Sequence, residues 1–110
     1  MTDEKHYQFV EIAPVSDLPV NERLFLEVGE LPVVIYNLNG EYYATGDVCS
    51  HDRGPIGEGQ IEGYEVICPR HGARFDIRSG KVKRFPAARD IPSYLVKIEA
   101  GKIFLGIPQE

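Results

Sequence analysis

Eleven glycines and eight prolines are spread so evenly through the 110 residues that few stretches of helix length remain uninterrupted. Both residue types break helices, glycine through backbone entropy and proline through its missing N–H. The chain is therefore directed towards short strands joined by tight turns.

The apolar pattern agrees. Residues 6–12 alternate Tyr7, Phe9-Val10 and Ile12 with polar positions, as a half-buried strand does, and Pro14 ends the run. Leu24–Val28 is a second strand candidate, and Leu31–Leu38 is a β-branched run suited to burial on both faces. Between Val33-Val34-Ile35-Tyr36 and Glu41-Tyr42-Tyr43-Ala44 stands Asn39-Gly40, the dipeptide that supplies the positive φ angles of a type I′ hairpin. Glu65–Ile67, Arg74–Ile77, Tyr94–Ile98 and Ile103–Ile107 follow as strands, with turns at Ser79-Gly80 and Ala100-Gly101. The reading is all-β, a sandwich or barrel-like arrangement of antiparallel strands.

Apolar residues at 43% and charged residues at 26% are ordinary for a globular protein, and residues 1–110 are expected to form a single domain. The longest apolar stretches, such as Leu31–Tyr36, fall far short of the roughly 20 residues that cross a bilayer. The opening Met1-Thr2-Asp3-Glu4-Lys5 has acids where a secretory signal carries bases, so a cytoplasmic location is expected, with no membrane partner. A net charge of −5 argues against nucleic acid as a partner, because neutralising phosphates requires an excess of Lys and Arg. The charge is also segregated: residues 1–69 hold 3 basic and 13 acidic side chains, residues 70–110 hold 9 and 4.

Cys49 to Gly59, with Gly54, Pro55, Gly57 and Gly59, is the one region that must be a loop. It opens with Cys49-Ser50-His51, and after sixteen intervening residues comes Cys68-Pro69-Arg70-His71. A tight Cys-x-His turn cannot easily direct both side chains to one tetrahedral ion while a second loop does the same. A two-metal cluster relaxes the constraint, since each loop can send its thiolate to one metal and its imidazole to the other. Two other readings remain open on the residues alone. Both cysteines could be plain buried thiols, or the four residues could close a Cys₂His₂ zinc site. Zinc knuckles usually pair like ligands, whereas each pair here is mixed, which suits a 2Fe-2S centre in which His₂ replaces Cys₂ on one iron.

At these residues the chain resembles the Rieske family, whose pattern is Cys-x-His and, after an intervening stretch, Cys-x-x-His. The surrounding text, CSHDRGPIGEG from Cys49 and CPRHGARFD from Cys68, is similar to the Rieske ferredoxins of bacterial oxygenase systems. The resemblance implies a stack of small antiparallel sheets with one 2Fe-2S cluster at a loop-built tip. It also implies that Cys49 and Cys68 bind the inner iron, that His51 and His71 bind the outer, more exposed one, and that Gly54-Pro55 shapes the covering loop. The implied role is a one-electron carrier between a ferredoxin reductase and a terminal oxygenase, with no catalytic residues of its own. Similar free-standing chains serve iron-sulfur assembly, an alternative role, and a zinc-stabilised interaction domain is a further one. An oxygenase would need a separate mononuclear iron held by two His and a carboxylate, and only His6 remains outside the four ligands.

Two ferric ions, two sulfides and two thiolates sum to a neutral oxidised core that becomes singly negative on reduction. A four-thiolate core goes from doubly to triply negative, so imidazole ligation raises the potential. Hydrogen bonds to sulfur raise it further. By the same resemblance, high-potential members place Ser and Tyr where this chain has Ala73 and Phe75. They also carry a disulfide at positions corresponding to Gly54 and Arg70. The expectation is a potential near the lower end of the Rieske range, roughly −150 mV. The basic run Arg70, Arg74, Arg78, Lys81, Lys83, Arg84 and Arg89, with Arg53, is expected either to steer an acidic redox partner or simply to coat solvated strand faces.

Overall fold

A computed structural model describes residues 7–85, 87 and 89–108. Ten strands make up almost all the regular structure. They are β1 (Tyr7–Pro14), β2 (Arg23–Val28), β3 (Leu31–Leu38), β4 (Glu41–Gly46), β5 (Ile61–Glu62), β6 (Glu65–Ile67), β7 (Arg74–Asp76), β8 (Val82–Arg84), β9 (Ser93–Glu99) and β10 (Lys102–Pro108). One 3-10 turn, Val15–Asp17, is the only helical element among the described residues. His6, taken from the sequence as an edge residue, lies outside them.

All pairings are antiparallel, in a six-stranded sheet ordered β1-β10-β9-β4-β3-β2 and a four-stranded sheet ordered β5-β6-β7-β8. The expected stack of small sheets is thus one large sheet carrying one small one. The Asn39-Gly40 turn is as the sequence requires: φ is 55° and 94°, and Leu38 pairs with Glu41 across it. Ala100-Gly101 likewise turns through positive φ between β9 and β10.

β3 explains the layering. Its residues from Val33 to Leu38 are all buried, and their two-residue alternation feeds two cores. Val33 and Ile35 join Leu18, Ala44, Ile103 and Leu105 on one side. Val34, Tyr36 and Leu38 face the other side, where Val66, Phe75 and Ile77 of the small-sheet region pack with Cys49 and Cys68. Tyr36 is fully buried there. Its hydroxyl meets Thr45 Oγ1 at 3.0 Å, and burial pushes its pKa up to about 12. The small sheet is therefore seated on the large one by a core that also encloses both thiols.

Candidate metal centre

The two Cys/His pairs occupy two loops, one entering the small sheet from the large one and one within the small sheet. The first joins β4 to β5, and the second is the direct connection between the paired strands β6 and β7. Each begins with a cysteine and closes in the same way. Cys49 N–H donates to Gly54 O at 2.7 Å, and Arg53 N–H donates back to Cys49 O at 2.7 Å. In the second loop Cys68 N–H donates to Ala73 O at 2.7 Å, and Gly72 N–H returns to Cys68 O at 3.0 Å. The fourth residue after each cysteine takes positive φ, 65° at Arg53 and 78° at Gly72. Two knuckles of different sequence spacing are thus built on one hydrogen-bonding pattern.

Cys49 and Cys68 are buried at 0% and 2% exposure, while His51 and His71 are exposed. The imidazole rings lie 4.9 Å apart, nearly perpendicular. Burial pushes the Cys49 thiol pKa up, the backbone N–H groups of His51 and Asp52 draw it down, and the neighbouring Cys68 thiol opposes ionisation. All four residues proposed from the sequence are brought to one tip, sulfurs inward and rings outward. A carboxylate joins them: ligating atoms of Cys49, Asp52 and Cys68 lie within 4.8 Å of one another. Asp52 is not free for a metal, since Arg70 Nε donates to its Oδ2 at 2.6 Å and Arg70 Nη2 to its Oδ1 at 2.9 Å. That guanidinium holds the carboxyl far below the ordinary carboxylate range. The donors left are two buried thiols and two solvent-facing imidazoles, a set that fits a two-iron cluster with dissimilar ends.

Three supporting residues were not singled out in the sequence. Asp47 accepts from the N–H groups of Ile56 and Gly57, fixing the descent of the first loop. Arg23, on β2, donates to the carbonyls of Gly57 and Gly59. Asp52 also accepts from Gly54 N–H at 2.9 Å, a local Asx turn that the Asp-x-Gly text could have revealed. At Gly54 itself, a Cβ would lie 2.7 Å from the Arg70 guanidinium carbon.

Such a fold and donor set define an iron-sulfur electron carrier. The Rieske 2Fe-2S domain model matches residues 8–95, and the chain belongs to that family. It is 34% identical over 97 residues to the ferredoxin component of the naphthalene 1,2-dioxygenase/salicylate 5-hydroxylase systems of Ralstonia sp, covering 88% of this chain and 93% of that one. It is 35% identical to the 3-phenylpropionate/cinnamic acid dioxygenase ferredoxin subunit of Escherichia coli, covering 87% and 91%. Among solved structures, the Sphingomonas yanoikuyae ferredoxin superposes with a TM-score of 0.81 at 28% identity, over 92% of this chain and all of that one. The chain thus carries one Rieske-type cluster and serves as an electron-transfer component rather than a substrate-converting enzyme. The zinc and iron-sulfur-assembly alternatives give way to this reading. No helix among the described residues is long and apolar enough to cross a membrane.

Proposed function

We propose that Cys49 and Cys68 hold the inner iron of the cluster, that His51 and His71 hold the outer one, and that the chain carries single electrons in the cytoplasm from a ferredoxin reductase to the terminal oxygenase of an aromatic-oxidising system. The observation that carries this is the polarity of the site: thiols sealed into the core beside Phe75, imidazoles 4.9 Å apart at the surface. When bound, the cluster supplies reversible one-electron chemistry. The protein supplies insulation on the sulfur side and an exit on the imidazole side.

The same residues set the driving force. Ala73 and Phe75 are fully buried in the core that holds both cysteines and offer no hydroxyl. Ser50 Oγ donates instead to Arg89 O at 2.5 Å. The sulfur of Cys49 is left with backbone donors, the N–H groups of His51 and Asp52. This supports a potential near the low end for Rieske centres, roughly −150 mV.

Docking follows from the charges that remain free. Arg70, Arg74 and Arg78 are taken up by Asp52, by Glu62 with Glu65, and by Asp76. Among the described residues, Arg53, Lys81, Lys83, Arg84 and Arg89 have no carboxylate at ion-pair distance. In their midst Phe85 is 82% exposed, two residues before Ala87, which is buried in the core that holds Cys49 and Cys68. An exposed aromatic flanked in sequence by unpaired cations, on a segment bonded to the first ligand loop through Ser50, suits an acidic redox protein.

The test is iron and acid-labile sulfide analysis of the purified protein, together with single His51→Cys and His71→Cys variants. The parent should contain both elements in equal amount, and each variant should alter the visible spectrum and lower the potential, since thiolate replaces a neutral ligand. An unchanged spectrum in either variant refutes the assignment.

A further inference from the structure

The two cluster-binding loops share one side-chain cross-connection whose geometry exceeds that of an ordinary surface ion pair. Arg70 reaches from the second loop and spends its whole guanidinium on the first. Two parallel bonds go to Asp52, at 2.6 and 2.9 Å, and Nη1 donates to Pro55 O at 2.7 Å. Asp52 is itself fixed by Gly54 N–H, and Gly54 lacks the side chain that would collide with Arg70. Isolated exposed pairs contribute little, but a bidentate fork in a network is both stronger and geometrically specific.

Position gives the pair a second consequence. One Asp52 oxygen lies within 4.8 Å of the Cys49 and Cys68 thiols, and Oδ2 is 3.4 Å from His71 Nδ1. A bare carboxylate there opposes the arrival of an electron, and a lone guanidinium favours it. Bound as a fork, their fields largely cancel at the site.

We propose that Asp52 and Arg70 form a charge-balanced latch, which keeps the two ligand loops at the separation the cluster needs and shields the reducible centre from a nearby carboxylate. Both are positioning residues. The inference rests on the ligand assignment above, which is tested first on the parent protein: absence of iron there defeats the assignment before the latch is examined.

The experiment compares holoprotein of the parent with Asp52→Asn, Arg70→Gln, the double variant and Arg70→Lys. Midpoint potential is read by protein-film voltammetry, and cluster lifetime by decay of visible absorbance in the presence of an iron chelator. Asp52→Asn should raise the potential, Arg70→Gln should lower it, and the double variant should return close to the parent. All three should lose the cluster at least about fivefold faster. Arg70→Lys keeps the charge without the fork, so it should hold a near-parent potential while its cluster decays faster. Because lysine preserves the charge and the loop, it serves where Arg70→Gln fails to retain a cluster at all. Potentials that move the same way in the two single variants overturn the charge balance, and unchanged lifetimes overturn the latch.

Discussion

At Ala73 a single missing oxygen separates two electrochemical outcomes. The side chain is buried in the core with both cysteines, and its carbonyl accepts from Cys68 N–H. If a hydroxyl placed in that core donates to a sulfur, which bears more negative charge after reduction, Ala73→Ser should raise the potential. About 1 kcal/mol of preferential hydrogen bonding corresponds to about 40 mV for one electron, measurable by protein-film voltammetry. An unmoved potential would remove the hydroxyl argument for a low-potential centre. Gly59 shows a different constraint: a Cβ there would stand 1.8 Å from Ile67 O, the carbonyl just ahead of Cys68. Gly59→Ala should therefore destabilise the protein by about 1–3 kcal/mol in denaturant titration, because backbone must move. Sequence made the four candidate ligands legible because each pair is local and its residue types have few other uses in such spacing. It left Asp47, Arg23 and the Asp52–Arg70 fork unread, because charged residues are usually solvated and these partners lie 9 to 36 positions apart.

Length alone did not decide which elements were legible, since β6 and β7 are as short as β8 and are expected from the sequence. β3, β4 and the turn between them announce themselves through alternation and Asn-Gly, whereas β5 and β8 were not anticipated. A two- or three-residue strand such as Val82–Arg84 shows no period, and exists because β7 offers it a partner. The first ligand loop is held by its own first residue, Asp47, and from outside by Arg23 of β2. Arg23→Ala should speed amide hydrogen exchange within residues 54–59 at least about tenfold while leaving 68–73 unchanged, since only the first loop loses its donor. In the turn after β7, Asp76 is buried and its carboxylate accepts from the Arg78 side chain and backbone N–H, which hold its pKa below the ordinary value. A carboxyl depressed in the folded state contributes stability that is complete above its unfolded pKa, ~3.9, and is lost as pH falls through the lower folded value. Melting temperatures taken by circular dichroism from pH 6 downwards should begin to fall near the unfolded pKa of ~3.9, and Asp76→Asn should flatten the fall.

Over the whole molecule, a net charge of −5 conceals two stretches of chain with opposite charge balance. The sequence placed seven cations between residues 70 and 89 without showing which were already neutralised. Folding removes Arg70 and Arg74 from that set by pairing them with acids from other loops and strands, and Arg78 by pairing it with Asp76 two residues away. What remains is smaller, and its Arg89 is joined to the first ligand loop, because Ser50 Oγ donates to the Arg89 carbonyl; within the segment Asp90 accepts from Val82 N–H. The segment that carries Lys83, Arg84 and Phe85 is thereby tied to the first loop at its Arg89 end and closed on itself by the Val82–Asp90 bond. Long-range attraction from the cations and short-range burial of Phe85 should affect different steps, one governing encounter and the other dissociation. Stopped-flow electron exchange with an acidic redox partner should slow on the order of tenfold between low and high salt. Lys83→Glu combined with Arg84→Glu should abolish most of that salt dependence and slow the encounter. Phe85→Ser should leave the salt slope and the potential as they are, yet raise the dissociation rate of the complex. Rates that stay flat with ionic strength would return the basic residues to the solvated coat of the strands, and an unaltered dissociation rate would remove Phe85 from the contact.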